Sequence, residues 1–346
     1  MDVLVIYQFC TFGGVERVIL NRAKVFKKHG LDVKISIGYL FDYGGLQSFR
    51  SYIRINRLED HLATFIIPES SLDWEKFDFI FVIDTPQVFD RIGNSKKVLI
   101  ECHTPYRENR QYLKDIPKSI QGILVPSESF RALVASEFPD LPPISVMPNC
   151  VSDEFFEIGP STGNEYFSKR PITYFARVED LKNFIEATRI FELFTDTEDV
   201  MFFVVGKGAD EKMLIRSLER KGLIEKSLLR DRIDFDSVTS LVSLVKRHRG
   251  VFLSPSKGES FGLSAAEFIS GGVPVLLSDI PPHKELVDND ERFLYNLGSI
   301  ASAETKMVEL LRDWENMSEQ VKTHAGKFRE DAFLKAWQKF LADQKS

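Results

Sequence analysis

Glu259 and Glu267 bracket the seven residues Ser-Phe-Gly-Leu-Ser-Ala-Ala, and here residue type and spacing point most directly to chemistry. The surrounding stretch, Ser254 to Val287, runs from a short apolar segment through a Gly/Ser/Pro loop into a helical pattern. The backbone amides of Phe261, Gly262 and Leu263 fall where that helix opens. Amides at such a point, with the positive end of the helix dipole behind them, attract an anion such as a phosphate. Two carboxylates cannot both ligate phosphate. Glu259 in the loop and Glu267 one turn into the helix instead suit hydroxyl groups flanking it, a sugar on one side and a ribose on the other. The plainer alternative leaves Glu259 solvated and Glu267 on an exposed helix face. The neighbouring glycines and the small residues Ser264, Ala265 and Ala266 favour the site.

A second group carries positive charge. In Tyr174-Phe175-Ala176-Arg177 and the following Val-Glu-Asp-Leu-Lys182-Asn183, Arg177 ends an apolar run and Lys182 precedes a helical pattern. Arginine offers a planar fork for phosphate oxygens and lysine a compact charge. Together they offset the charge that builds on a leaving diphosphate, at roughly 1.5–3 kcal/mol for each charge-assisted hydrogen bond. The alternative is a surface pair neutralised by Glu179 or Asp180. Three weaker signals accompany these. Gly13 and Gly14 follow the first apolar run, where they permit close backbone approach to a ligand or form a tight turn. His103 ends the run Val98–Cys102. Gly206-Lys207-Gly208 is a bare GxG, which argues against a dinucleotide dehydrogenase; Gly206 and Lys207 remain candidates for contacting the same ligand as Arg177.

Positioning these residues requires a scaffold, and the chain supplies one by alternating short apolar runs with helical patterns, the signature of parallel sheets with crossover helices. Strands are expected at Val3–Tyr7, Val33–Gly38, Phe79–Ile83, Val98–Ile100, Gly122–Pro126 and Ile144–Met147, with helices at Val15–Lys28 and Ser127–Phe138. Glu157 to Arg170 is rich in Gly, Pro, Ser and Thr and reads as a linker. Beyond it strands are expected at Ile172–Phe175, Met201–Val205, Arg232–Phe235, Val251–Leu253 and Val275–Leu277. Helices fit Asn183–Phe194, Asp210–Lys221, Val238–His248, Leu263–Ser270 and Ala301–Trp314, and a last one, Phe328–Leu341, carries an apolar stripe that must pack on something.

At 346 residues, two domains are the default. The net charge of -6 gives no global field for nucleic acid, and none is expected as a partner. Arg17, Arg22, Lys24, Lys27 and Lys28 cluster on one helix, read as a solvated face or as a weak contact to an anionic membrane. No apolar run reaches the ~18 residues of a membrane span, and residues 1–7 read as a strand and not as a signal peptide. Cys10, Cys102 and Cys150 are odd in number and widely spaced, which suits a reducing compartment. The six histidines include no HxxxH or HxH pair, so neither a metal nor another cofactor is expected.

Taken together the motifs resemble those of the large retaining glycosyltransferase family four, which has the GT-B fold. Glu259 to Glu267 matches its Glu-x7-Glu motif, followed by the small-residue run Ser270 to Val275. Arg177 to Asn183 matches its Arg-x4-Lys-Asn segment, Gly13-Gly14-Val15-Glu16-Arg17 its Gly-Gly-x-Glu-Arg, and Met147-Pro148-Asn149-Cys150 its Pro-Asn-Gly. Four matches in the right order span nearly the whole chain.

The resemblance implies an α/β protein of two Rossmann-like, doubly wound domains facing a cleft. Its acceptor domain would cover residues 1–160 and its nucleotide-sugar donor domain 161–327. Residues 328–346 would form a C-terminal helix crossing back onto the first domain. Arg177 and Lys182 would bind the donor diphosphate with the amides of Phe261, Gly262 and Leu263. Glu267 would accept from the ribose and Glu259 would contact the transferred sugar. Gly13, Gly14 and His103 would approach the donor from the N-terminal domain. The implied reaction is metal-independent transfer from a nucleotide-diphosphate sugar, with retention, to a glycan, lipid-linked or small polar acceptor. The expected setting is the cytoplasm or the inner membrane face, in polysaccharide assembly. A catalytically silent sugar-nucleotide-binding subunit is the alternative, and the presence of Glu259 and Lys182 speaks against it. Ala176, Cys150 and Ser237 stand where the family commonly has glycine, so donor geometry can differ.

Overall fold

The computed structural model describes residues 1–68, 72–92, 97–159, 167–196 and 199–344. The chain divides into two compact units, one made of Met1–Cys150 with Glu330–Ser346, the other of Val151–Arg329. The sequence places the first boundary at 160/161, within a stretch that lies outside the described residues; the compact units part ten residues earlier, after Cys150. The expected linker, 157–170, falls largely in that same stretch.

The first unit is built on a seven-stranded parallel sheet of order β3-β2-β1-β4-β5-β6-β7. Its strands are β1 (Asp2–Cys10), β2 (Lys34–Asp42), β3 (Leu62–Ile66), β4 (Phe79–Ile83), β5 (Val98–Glu101), β6 (Gly122–Val125) and β7 (Ile144–Val146). The central strands are buried on both faces, which is why they read as unbroken apolar runs. Helices α1 (Gly14–Lys28), α2 (Leu46–Ile55), α3 (Phe89–Ile92) and α4 (Glu128–Glu137) connect them. Ser127 caps α4 by accepting from the Phe130 amide at 3.2 Å, the pattern its sequence foretells.

The second unit holds a six-stranded parallel sheet of order β10-β9-β8-β11-β12-β13. Its strands are β8 (Arg170–Phe175), β9 (Val200–Val205), β10 (Ser227–Arg230), β11 (Val251–Ser254), β12 (Val275–Ser278) and β13 (Leu294–Tyr295). Its helices are α5 (Phe184–Glu192), α6 (Glu211–Arg220), α7 (Val238–Arg247), α8 (Leu263–Gly271), α9 (Pro281–Leu286), α10 (Ile300–Arg312) and α11 (Trp314–Thr323). Both sheets reverse strand order at one internal point, between β1 and β4 and between β8 and β11. In open α/β sheets that reversal opens a crevice at the carboxyl ends of the strands, where ligands sit.

The last helix, α12 (Glu330–Asp343), belongs to the first unit. Trp337 packs 5.1 Å from Phe26 of α1, and Phe340 lies 5.2 Å from Phe79 and 5.8 Å from Phe81 of β4. Phe328, expected at the head of this helix, instead closes the second unit against Phe261 at 5.9 Å.

Three strands depart from expectation, and all three are sheet edges. β3 and β13 went unread, and the strand expected at Arg232–Phe235 lies at Ser227–Arg230 instead. β3 and β10 are partly exposed and lack the continuous apolar run that marks a central strand, and β13, although buried, is only two residues long. The single helix expected at Ala301–Trp314 breaks at Asp313, and α11 follows it.

Candidate functional site

In the second unit the neighbouring strands β8 and β11 flank the order switch, so the loops leaving their carboxyl ends run side by side. Those loops carry Arg177 to Lys182 and Ser254 to Gly262. Asn183 and Lys257 bind them together. Asn183 takes a left-handed conformation at φ 53° and ends the short turn holding Lys182. Its side-chain amide donates to Glu186 Oε2 at 2.7 Å and to the Pro255 carbonyl at 3.0 Å. The Lys257 amide donates to the Leu181 carbonyl at 2.8 Å.

This frame brings Lys182 Nζ within 2.6 Å of Glu259 Oε1, where the Ser256 hydroxyl also donates at 2.9 Å. The two side chains of the ion pair are only 14% and 13% exposed. Burial pushes the Glu259 carboxyl up, but the Lys182 ammonium and the hydrogen bonds from Lys182 and Ser256 together hold it below the ordinary glutamate value. Neither residue is therefore the solvated surface charge of the plainer alternative.

Behind this pair α8 begins. Gly262, at φ 95°, caps the helix in a conformation that favours glycine, and no side chain caps the first turn. The opening amides are those of Leu263, Ser264 and Ala265, two residues further along than the sequence suggests. Phe261 precedes the helix, its ring buried. One turn on, Glu267 is 1% exposed, which excludes the exposed-face alternative for it. A fixed cation, a carboxylate and a helix start thus converge at the order switch. That combination suits an anionic group attached to something bearing hydroxyls.

Two candidates behave otherwise. Arg177 is 58% exposed and pairs with Glu179 at 3.0 Å, the surface arrangement foreseen as its alternative. Gly206 and Gly208 are glycines because the chain packs against itself. A Cβ on Gly206 would lie 1.9 Å from the Ala176 carbonyl oxygen, and one on Gly208 2.2 Å from that of Val178. Lys207 is exposed and sits 3.6 Å from Asp231.

In the first unit, Gly13 precedes α1 and donates its amide to Glu16 Oε2 at 2.6 Å, with the Thr11 amide 3.3 Å from Oε1. The chain's own buried carboxylate thus occupies part of that helix start. A Cβ on Gly14 would meet nothing within 4 Å. His103 follows β5 and donates from Nε2 to Glu101 Oε2 at 2.9 Å, while its amide donates to Asp84 Oδ2 at 2.9 Å. Arg22 Nη1 donates to Glu101 Oε1 at 2.7 Å, and both Arg22 and Glu101 are buried. Burial would raise the Glu101 carboxyl, but Arg22 and His103 bring it down to about 2.

Arg22 therefore does not belong to the solvated basic face read from sequence. Lys28 pairs with Glu330 at 3.0 Å, and Lys27 donates to the carbonyls of Asn56 and Arg57. Charges read as a patch are largely spent inside the unit. Among the described residues no helix is long and apolar enough to cross a membrane.

Sequence reasoning missed Ser256 and the buried His283, whose ring lies between Ser254 and Ser278. It also missed Glu101, although a glutamate inside the run Val98–Cys102 is a visible anomaly. Two Asp-x-Asp runs were passed over as well, Asp234 to Asp236 and Asp288 to Asp290. The second is engaged by Lys327, His324 and Arg292.

Comparison with known proteins now adds to this geometry. Residues 163–328, nearly all of the second unit, match the family model for glycosyl transferases group 1. A stretch of 100 residues, 29% of the chain, is 33% identical to the O-antigen biosynthesis glycosyltransferase WclY of Escherichia coli. That match spans 26% of the relative's length. Among solved structures, HepE of Anabaena in complex with UDP-glucose aligns at TM-score 0.77 with 15% identity, covering 99% of this chain and all of that one. The pneumococcal O-GlcNAc transferase GtfA, in complex with UDP and GlcNAc, aligns at 0.74 with 12% identity over 99% of both chains. The fold is GT-B, with two α/β units each built on a parallel sheet.

Proposed function

We propose that this protein is a glycosyltransferase that uses a nucleoside-diphosphate sugar, bound on the second unit, as donor. The observation that carries the reading is the Lys182–Glu259 pair standing beside the start of α8, inside the segment that matches group 1 glycosyl transferases. The opening amides of α8 take the diphosphate, and Lys182 offsets the charge that develops as the diphosphate leaves. Such fixed charge, already in place before reaction, is the largest single contribution in many enzymes. Glu259, held by Lys182 and Ser256, presents its carboxylate to the hydroxyls of the transferred sugar. Glu267 accepts from the ribose. Arg177 exchanges its surface partner Glu179 for a phosphate oxygen when donor binds. Gly206 and Lys207 flank these contacts on the second unit.

The reaction needs no metal or other cofactor in this reading, and it retains anomeric configuration. UDP-sugars are the first donors to try, because UDP or UDP-glucose occupies the similar structures named above. The relative named for O-antigen biosynthesis suggests a glycan or lipid-linked acceptor in surface-polysaccharide assembly in the cytoplasm or at the inner membrane face.

Calorimetry with UDP, GDP, ADP and TDP in EDTA, on wild type beside Glu267→Ala, tests this. Tight binding of one nucleotide without metal, weakened at least roughly tenfold in the variant, is expected, since a tenfold loss corresponds to one lost hydrogen bond. Absence of binding to all four overturns the reading.

A further inference from the structure

Beneath the site lies a histidine that neither the motifs nor the proposed reaction uses. His283, on α9, is fully buried. Its Nδ1 is 3.0 Å from the Ser278 carbonyl oxygen, which can only accept, so Nδ1 carries the proton. The Ser278 hydroxyl also lies 3.0 Å from Nδ1 and spends its own proton on the Ser256 carbonyl at 2.6 Å. Nε2 is then left as an acceptor, facing the Ser254 hydroxyl at 3.4 Å. Ser254 is 3.2 Å from the Ser256 hydroxyl, whose proton goes to Glu259. Ser254 has one proton for two neighbours, Nε2 and the Ser256 hydroxyl, and so bonds one of them at a time. Burial keeps the ring neutral by lowering its pKa from 6.5 to about 4. The ring also lies beside the start of α8: a Cβ added at Gly262 would meet Leu286 of α9 at 3.1 Å and the His283 Cδ2 at 3.8 Å.

We infer that His283 is a positioning residue for the donor site. It holds the loop Ser254–Glu259 and the turn at Gly262 in one register, so that Glu259 and the α8 amides face one ligand together. The hydrogen bonds reach the loop through Ser278, which meets the ring and donates its hydroxyl proton to the Ser256 carbonyl, and through Ser254, while the ring lies beside the turn at Gly262. The positional claim stands on this geometry, and its consequence for binding rests on the donor reading given above.

Two measurements on His283→Asn and His283→Leu test it. Asparagine can keep the bond to the Ser278 carbonyl but does not reach Ser254; leucine fills the space with no bond at all. Hydrogen exchange followed by mass spectrometry needs no ligand. Faster exchange across 254–263, larger in leucine than in asparagine, with the rest of the second unit unchanged, is the expected result. The second measurement is UDP-glucose affinity by calorimetry in a double-mutant cycle with Glu259→Gln. Either His283 variant should weaken binding roughly tenfold in wild type and much less in the Glu259→Gln background, since coupled residues are not additive. Exchange in 254–263 that matches wild type overturns the inference, as does a binding loss of equal size in both backgrounds. Should the wild type bind no nucleotide sugar while the exchange pattern appears, the positioning role stands and the donor reading fails.

Discussion

Each unit buries one glutamate against a cation at the carboxyl end of its sheet, and the two are finished differently. Glu101, in the first unit, is 1% exposed and satisfied on both oxygens, by Arg22 on one and His103 on the other. Glu259, in the second, receives Lys182 and Ser256 on the same oxygen and stays 13% exposed. A carboxylate saturated by fixed donors is structural, and its further use is to hold His103. One whose donors crowd a single oxygen has its other face available to a ligand. On the proposed reading, chemistry of the same kind serves as scaffold in one unit and as contact surface in the other.

The comparison can be broken at its strongest point first. Arg22→Met leaves Glu101 buried with its main counter-charge gone, which costs about 3–5 kcal/mol. Urea unfolding should show the first unit losing that much, and a loss below about 1 kcal/mol would mean that Glu101 finds another partner. Acid separates the units next. The unfolded chain protonates His283 near 6.5, whereas the folded second unit refuses that proton until about 4, so its stability falls as pH drops through that window, by about 3 kcal/mol in all. Glu101 has its pKa lowered from 4.5 to about 2, so its contribution is intact above 4.5 and fades only as pH approaches 2. Trp314 is the one tryptophan of the second unit, and its fluorescence in a Trp74→Phe/Trp337→Phe background follows that unit through urea melts between pH 7.5 and 4.5. His283→Asn should flatten the slope.

A smaller effect tests the ligand-facing side. Lys182→Ala should lower turnover with a UDP-sugar by about 2–3 kcal/mol, roughly a hundredfold, with less change in KM, because the charge it meets develops in the transition state. Unchanged kcat would make the Lys182–Glu259 pair a scaffold like its counterpart. Smallest of all is Gly14→Ala. With open space around its Cβ and a helical position, alanine should stabilise α1 by up to about 1 kcal/mol. Thermal unfolding reads this directly, and a loss of nucleotide affinity in a stabilised variant would show that a ligand needs the glycine.

How much of this was written in the chain depends on where each residue lies. Central strands such as Phe79–Ile83 announce themselves because both faces are covered, and Leu263 is the first residue of α8 in sequence and structure alike. Glu259 and Glu267 could be named because the turn and helix between them set their spacing, and Lys182 from its spacing to Arg177, although its bond to Glu259, 77 residues away, could not be read. Arg22 could not be distinguished from its basic neighbours, because its partner Glu101 is 79 residues away. His283 was equally hidden, since it acts through Ser254, 29 residues earlier, and through a neighbouring loop. Local spacing reveals contacts within one element. Contacts made by strand order need the sheet.

The placement of α12 has a consequence for how the protein is made. The first unit is interrupted, and its aromatic seam of Phe26, Phe79 and Phe81 stays open until Phe333, Trp337 and Phe340 arrive from the last 17 residues. The second unit is one continuous segment and can finish as soon as it leaves the ribosome. Synthesis of the first unit therefore starts before that of the second and is completed after it. Until α12 emerges the nascent chain carries an exposed hydrophobic surface for a chaperone to cover, and a stop codon shortly before Glu330 would leave that surface uncovered for good.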